Sequence, residues 1–233
     1  MTAIVPTYRT AAESKSEHSD KMGDTLGPLY DSLWQELAWL HKKWAEYVAL
    51  FGTKPSRIDL MNEAAPAFFR IVQDTFWEDV LLHVARLTDS PKSASKSNLS
   101  IRHLAGNVQH AETNAKVAHL TTSALLASEF CRDWRNRRIA HRDLRLALEQ
   151  DTDPLKPASR EKVREALQAL VAVLNAVSEH YLGSSTFFEH GTDAGGAISL
   201  LYVLQDGVNA ASNRRARLKS GIYDPNDFGP KDV

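Results

Sequence analysis

What this sequence has little of narrows it first. Its 233 residues hold one cysteine, Cys131, so neither an intramolecular disulfide nor a cysteine-based zinc cluster can form. One thiol fits a reducing compartment, and the cytoplasm is the expected location. Eleven glycines and nine prolines are too few for a turn-rich all-β protein. The formal net charge is only −1, which excludes a uniformly basic nucleic-acid binder. Any attraction for phosphate must come from a local concentration of Arg and Lys. No apolar stretch approaches the roughly 18 residues of a membrane span, because Glu, Gln, Lys or Arg interrupts each one. Met1 to Asp20 lacks a continuous apolar core and does not read as a secretory signal. A soluble protein with no membrane partner is the expectation.

What is present is helical periodicity. Hydrophobic residues make up 43% of the chain, enough for a sizeable core. Leu33, Leu37, Leu40, Trp44, Val48 and Phe51 step by three or four, predicting a helix over about Leu29 to Phe51 with Gly52 as its C-cap. Ile58 to Leu87 carries a second stripe, through Phe69, Val72, Phe76, Val80, His83 and Leu87, with a break and restart at Pro66. Asp89 to Ser97 reads as a Ser/Lys-rich loop, followed by a short helix near Ile101 to Ala105. A third long helix is predicted from Ala111 to Arg138 or beyond. Asp151 to Pro157 is a linker. Ser159 is a suitable N-cap for a helix whose face runs Val163, Leu167, Leu170, Leu174, Val177, Tyr181, with Gly183 closing it. Ala197 to Leu218 forms the last helix, ending in Arg214, Arg215, Arg217 and Lys219, which suit a helix C-terminus. Ser184 to His190 reads as a local extended stretch.

The expected fold is therefore all-α, a bundle of about five main helices. Its expected parts are a flexible tail over 1–26, a helical domain over 27–183, a helical extension over 184–220 and a flexible tail over 221–233.

One segment departs from the average charge. Arg132 to Arg145 reads RDWRNRRIAHRDLR, with six arginines, two aspartates and one histidine, a local charge of +4. On charge alone this is a solvated helix end. The order of the residues says more. Arg135-Asn136-Arg137-Arg138-Ile139-Ala140-His141 resembles the signature of the HEPN superfamily (higher eukaryotes and prokaryotes nucleotide-binding). That signature is an Arg followed by a polar residue, then a His after a spacer of four to six residues. Trp134 ahead of Arg135-Asn136, and Ala140-His141 followed by Arg142-Asp143, are similar to the AbiU-type abortive-infection branch. So is Ala85-Arg86-Leu87-Thr88-Asp89. The likeness covers about Leu29 to Tyr181. Some HEPN toxins carry a Tyr two residues after the His; here Asp143 stands there, so control by modification of that tyrosine is not supported.

The resemblance implies a HEPN-type endoribonuclease that works without metal, in bacterial defence or as a toxin. It also implies RNA as the partner molecule, a homodimer with two motifs facing each other, and a possible antitoxin or regulatory protein. No cofactor and no metal are expected. The chemistry suits the residues. A near-neutral histidine, His141, can act as base or acid. Arg135 stays protonated, can hold two phosphate oxygens, and counts most where charge develops in the transition state. Asn136 can position the phosphate or orient His141. Arg138 and Arg142 are supporting residues, and Arg132, Arg137 and Arg86 are candidates for substrate binding. The same basic segment also fits a non-catalytic HEPN module that binds RNA, a nucleotide or a protein.

Geometry poses a difficulty. On an ideal helix Arg135 and His141 point about 120° apart. Either the helix bends or ends near Ile139, or Arg135 reaches sideways into a cleft shared with a second subunit. Other candidates have plainer readings. His83 lies on an apolar stripe and reads as a core histidine. Arg86 and Asp89 read as a local ion pair or cap. Trp34, Trp39, Trp44 and Trp77 read as core or dimer surface. Asp151 and Asp153 lack the further ligands of a calcium loop. Phosphate-binding glycine loops, zincin helices, nucleophile elbows and dinucleotide fingerprints are absent from the sequence.

Overall fold

The computed structural model describes residues 10–93, 95–150, 152–188 and 195–224. These residues form helices α1 (Ala11–Phe51), α2 (Pro55–Ala64), α3 (Pro66–Leu87), α4 (Leu104–Asn107), α5 (Ala111–Ala127), α6 (Glu129–Trp134), α7 (Leu144–Ala147), α8 (Arg160–Leu182) and α9 (Ala197–Lys219). Strand β1 (Lys92–Ser93) pairs antiparallel with β2 (Lys96–Ser97) inside the expected Ser/Lys loop. The fold is all-α, and its five long helices are α1, α3, α5, α8 and α9. Among the described residues no helix is long and apolar enough to cross a membrane.

The chain divides into two compact units, 1–43 with 78–190, and 44–77 with 191–233. In the first, Leu33, Leu37 and Leu40 of α1, Val80, Leu81 and Val84 of α3, and Val163, Leu170, Leu174 and Val177 of α8 are all buried. Apart from Leu81 and Val84, which the α3 stripe did not include, these are residues of the sequence stripes. Ser159 Oγ accepts the Lys162 N–H at 3.2 Å, capping α8 as expected, and Gly183 closes it in the left-handed conformation at φ 64°. In the second unit Ala49, Leu50, Met61, Phe69, Ala197 and Leu201 share an apolar cluster. Trp44, Tyr47 and Trp77 pack ring against ring beside it in sequence. Pro66 restarts the helix after Ala65, as its missing N–H requires.

Two expectations need correction. Residues 11–26 are not a flexible tail but the start of α1. Thr10 and Glu13 form a capping box, Thr10 N–H to Glu13 Oε2 at 2.8 Å and Glu13 N–H to Thr10 Oγ1 at 3.2 Å. Met22 and Leu26 extend the buried stripe backwards. Gly23, at φ 84° and ψ 169°, breaks this helix. The chain then folds back, since His18 Nδ1 lies 3.0 Å from Asp31 Oδ1 and a Cβ on Gly27 would fall 2.5 Å from Ser19 Cα. Eight residues of straight helix would separate Ser19 and Gly27 by about 12 Å. Only a residue tolerant of positive φ makes that corner.

Second, the predicted helix 111–138 is not continuous. Ser128 Oγ takes the carbonyl of Ala124 at 2.7 Å, and α5 ends there. α6 follows, and at Arg135 the winding changes again. Over the expected extended stretch, Ser184 to Phe188 has no regular secondary structure. His190, the end of that expected stretch, lies outside the described residues, as do 1–9 and 225–233 of the expected tails.

Candidate functional site

The site is built where the C-terminus of α3 meets the α6 helix and its continuation. Residues Arg135–Ile139 wind as a π-helical turn, with Ala140 N–H bonded to the Arg135 carbonyl at 2.9 Å. Such wide turns recur at functional sites. No glycine or proline lies in this stretch. The widening coincides instead with three side chains, Trp134, Arg135 and Arg137, each tied to a different piece of backbone or side chain. Asp143 then ends the irregular segment by capping α7 through Leu146 N–H at 3.0 Å. Of the two arrangements open to the sequence, the chain does leave the α-helix at the motif.

Arg135 is held from two sides. Its Nη1 forms an ion pair with Asp89 Oδ2, and its Nε donates to Asn136 Oδ1 at 2.9 Å. Asp89 therefore pairs across 46 residues with the motif arginine, not locally with Arg86 as expected. Asn136 spends its carbonyl on Arg135 and none on His141. A guanidinium has five N–H groups, so two used here leave most of the fork open. Next to this pair, Thr88 Oγ1 accepts from Arg132 Nη1 at 3.3 Å, and the Thr88 carbonyl accepts from Arg102 Nε at 3.1 Å. Ser100 Oγ donates to the Asp89 carbonyl at 2.7 Å. Thr88-Asp89 is thus a two-residue platform under Arg132 and Arg135.

Arg132 is structural in its contacts. Its Nη2 donates to the Leu125 carbonyl at 2.9 Å, which repairs the break between α5 and α6. Burial, then the nearby Arg102 cation, lowers its pKa from the usual arginine value. Arg137 is also occupied. Its guanidinium donates to the Asp153 carbonyl at 2.5 Å and the Pro154 carbonyl at 3.3 Å, and lies 3.5 Å from Asp133. Trp134 Nε1 donates to the Lys156 carbonyl at 2.8 Å, and Lys156 N–H donates to Asp133 Oδ2 at 2.8 Å. Lys156 Nζ meets Glu129 Oε1 at 2.6 Å; that hydrogen bond and charge hold the Glu129 carboxyl below its ordinary range. Over residues 152–157 the expected linker is accordingly a strap, fastened along one side of α6 and the π turn, and Asp151 lies outside the described residues.

The free side chains are the ones that face solvent. His141 and Arg142 are exposed and, like Arg86 and Arg145, have no side-chain hydrogen bond or ion pair among the described residues. Arg138 sits 5.6 Å over the Trp134 ring and 3.4 Å from Glu78. So the structure ties Arg135 to Asp89 and Asn136, diverts Arg132 and Arg137 into the scaffold, and among the described residues gives His141 no partner. Sequence reasoning missed Thr88 and Asp89 as motif partners, although it had singled out Ala85 to Asp89. The signal was present; the pairing was not readable.

The comparison with protein families covers the stretch that holds both Thr88-Asp89 and the Arg135–His141 segment. The AbiU2 HEPN family model matches residues 23–194. The chain belongs to this family. It is an AbiU2-type HEPN protein of the abortive-infection group, as its motif suggested. The matched range takes in α1 from Gly23, the whole Arg135–His141 motif and the Thr88-Asp89 platform. The curated proteins contain no match to the chain, and neither do the solved structures. Within this AbiU2-type chain His83, the other histidine of interest, is a core residue. It is 1% exposed, and its Nε2 approaches Glu36 Oε2 at 2.8 Å without hydrogen-bond alignment. Burial first, then the Lys43 cation, holds its pKa down to about 4.

Proposed function

We propose that this AbiU2-type HEPN protein is a metal-independent endoribonuclease. The observation that carries the reading is the contrast between Arg135 and His141. The arginine is fixed by Asp89 and Asn136 with donors to spare, whereas the histidine six residues on is exposed and has no hydrogen-bond or ion-pair partner among the described residues. That is the division of labour RNA cleavage requires: a preset charge for the phosphate and a mobile proton carrier. His141 takes the 2′-hydroxyl proton or protonates the leaving 5′-oxygen. The oxygen attacks phosphorus, the bond to the 5′-oxygen breaks, and a 2′,3′-cyclic phosphate and a 5′-hydroxyl result. Arg135 stabilises the charge that builds on the phosphoryl oxygens. Arg138 and Arg142 are the exposed cations beside it.

The acting form in this proposal is a homodimer, which supplies the second histidine that acid and base catalysis together need. Leu144 and Leu148, four residues apart and 70% and 57% exposed, offer apolar surface right after the motif. A two-fold contact there is isologous. Monomer alone in sedimentation at micromolar concentration would remove this part. Abortive infection is the group's setting, and a toxin or defence role for the cleavage follows from it.

The deciding experiment incubates purified protein with mixed RNA in EDTA, beside His141→Ala and Arg135→Ala. Each variant should cut at least about 100-fold more slowly, the usual loss for a general acid–base or an oxyanion partner. Undiminished cutting by His141→Ala, or loss of all cutting in EDTA, would refute the mechanism. One observation favours the rival, a module that binds RNA without cutting it: Asp89 already neutralises Arg135. Tight RNA binding with the RNA left intact under every condition would establish that rival.

A further inference from the structure

α9 changes character along its length. Its first turns are core: Ala197 and Leu201 are buried with Ala49, Leu50, Met61 and Phe69, and Ile198 and Leu204 pack against them. Glu46 Oε2 accepts the Ala197 N–H at 2.6 Å, fastening the helix start. α9 packs along α2. Yet α2 has 10 residues and α9 has 23, about 15 Å against about 34 Å of helix. α2 can line less than half of it. Gly207 marks the change, a helix-weakening residue with nothing within 4 Å of where a Cβ would be.

From Gly207 to Lys219 the chain reads GVNAASNRRARLK, with no acidic residue and four cations, Arg214, Arg215, Arg217 and Lys219. The helix dipole explains part of this. Cations in the last turn, Arg217 and Lys219, answer the negative helix end. That effect dies away within one turn, so it does not reach Arg214 and Arg215. Arg214, Arg215 and Lys219 make no hydrogen bond or ion pair among the described residues. Among the described residues these three charges have no paired carboxylate, on a half of the helix that holds no buried residue.

We propose that the Gly207–Lys219 half of α9 is an RNA-binding arm that grips the phosphate backbone without reading sequence. The identity of the polyanion rests on the reading of this protein as one that acts on RNA. The shape fits an extended polyanion better than one phosphate group. The four cations rise over about 7.5 Å and fan across roughly 200° of the helix surface. Asn209, Ser212 and Asn213, neutral hydrogen-bonding residues, precede the four cations along the helix. A lipid surface is the poorer fit, because an interfacial helix needs a broad face of Leu, Phe or Trp. This arm has only Val208 and Leu218 as large apolar residues.

The test measures binding of a short single-stranded RNA across roughly 50 to 200 mM salt. It uses the full-length His141→Ala protein, with and without Arg214→Gln, Arg215→Gln and Lys219→Gln together. Each phosphate contact on a single strand contributes about 0.7 to the slope of log affinity against log salt. The triple variant should therefore show a slope lower by about 2, so that the parent loses about twenty times more affinity over that range. The Arg214→Lys, Arg215→Lys protein keeps the charges and should bind like the parent. Far-UV circular dichroism checks that helicity is retained; if the triple variant loses it, Arg215→Gln alone should lower the slope by about 0.7. Equal slopes in parent and glutamine variants overturn the arm. So does binding to phosphatidylserine vesicles that needs the arginines while RNA binding does not. If wild-type protein binds RNA through the arm yet cuts none, the arm stands and the ribonuclease reading falls.

Discussion

Removing the Asp89 carboxylate should show how much of the Arg135 placement is energetic. Asp89→Ala deletes the ion pair but spares the backbone bonds from Asp89 N–H to the Arg86 carbonyl and from Ser100 Oγ to the Asp89 carbonyl. The paired side chains keep 24% and 21% of their exposure, so the pair lies between two regimes. Exposed pairs couple by about 0.2–1 kcal/mol. Breaking a fully buried pair costs about 3–5 kcal/mol. A coupling of about 1–2 kcal/mol is the interpolation between these limits. Each single variant should then lower Tm by a few degrees, given about 2–4 °C per kcal/mol at this chain length. Asp89→Ala and Arg135→Ala together should cost clearly less than their separate costs added. Urea titrations of the four proteins give the coupling. If the two changes add to within about 0.3–0.5 kcal/mol, the sites are independent and the platform has no energetic meaning.

Three further outcomes follow from the same contacts. His83 is held at about 4 against an ordinary 6.5, so between those values the unfolded chain binds more protons. Its contribution is present above about pH 6.5 and lost as pH falls through 4, on the order of 3 kcal/mol, and His83→Gln should remove that part of the acid sensitivity in denaturation curves. The groups facing it, Glu36, Lys43, Asp79 and Arg86, stay in both proteins. Cys131 is buried, and burial pushes its thiol up to about 12; alkylation by iodoacetamide at pH 8 should wait for unfolding, and rapid native labelling would contradict its burial. Arg137→Ala leaves the Asp153 and Pro154 carbonyls without their donor, so chymotrypsin should cut near Leu155 sooner, while an unchanged digestion rate would mean the strap does not need that arginine.

Much of the fold could be read from spacing because the information is local. The stripes of α1, α3 and α8, the Pro66 restart, the Ser159 cap and the Gly183 closure each depend on residues within a turn or two. The start of α1 was equally local, since Thr10 and Glu13 spell a capping box, but its polar composition masks the helix. The fold-back at Gly23 is different. A lone glycine in a polar helix has many readings, and the corner is settled by Gly27 meeting Ser19. The site divides the same way. Arg135, Asn136 and His141 stand out by order alone. Their bonding does not, because Asp89 lies 46 residues from Arg135 and Asp153 lies 16 from Arg137. Whether an arginine is spent on scaffold or left for a ligand is decided by such distant partners.

The π turn at Arg135–Ile139 has a consequence for spacing itself. A wide turn takes up one residue more than an α-turn over the same rotation. It works as a phase adjuster: one residue can be gained or lost inside it while the helix on its N-terminal side keeps its rotational setting. The spacer of four to six residues that marks HEPN motifs spans just that kind of tolerance. In this chain Arg135 is the last residue set by the upstream helix, through Asp89. His141 lies beyond the adjuster, where its bearing follows the winding of the turn. Deleting Arg138 or Ile139 would let the turn tighten to an α-turn over the same rotation, so that His141 keeps its bearing relative to Arg135, with the upstream helix left as it is.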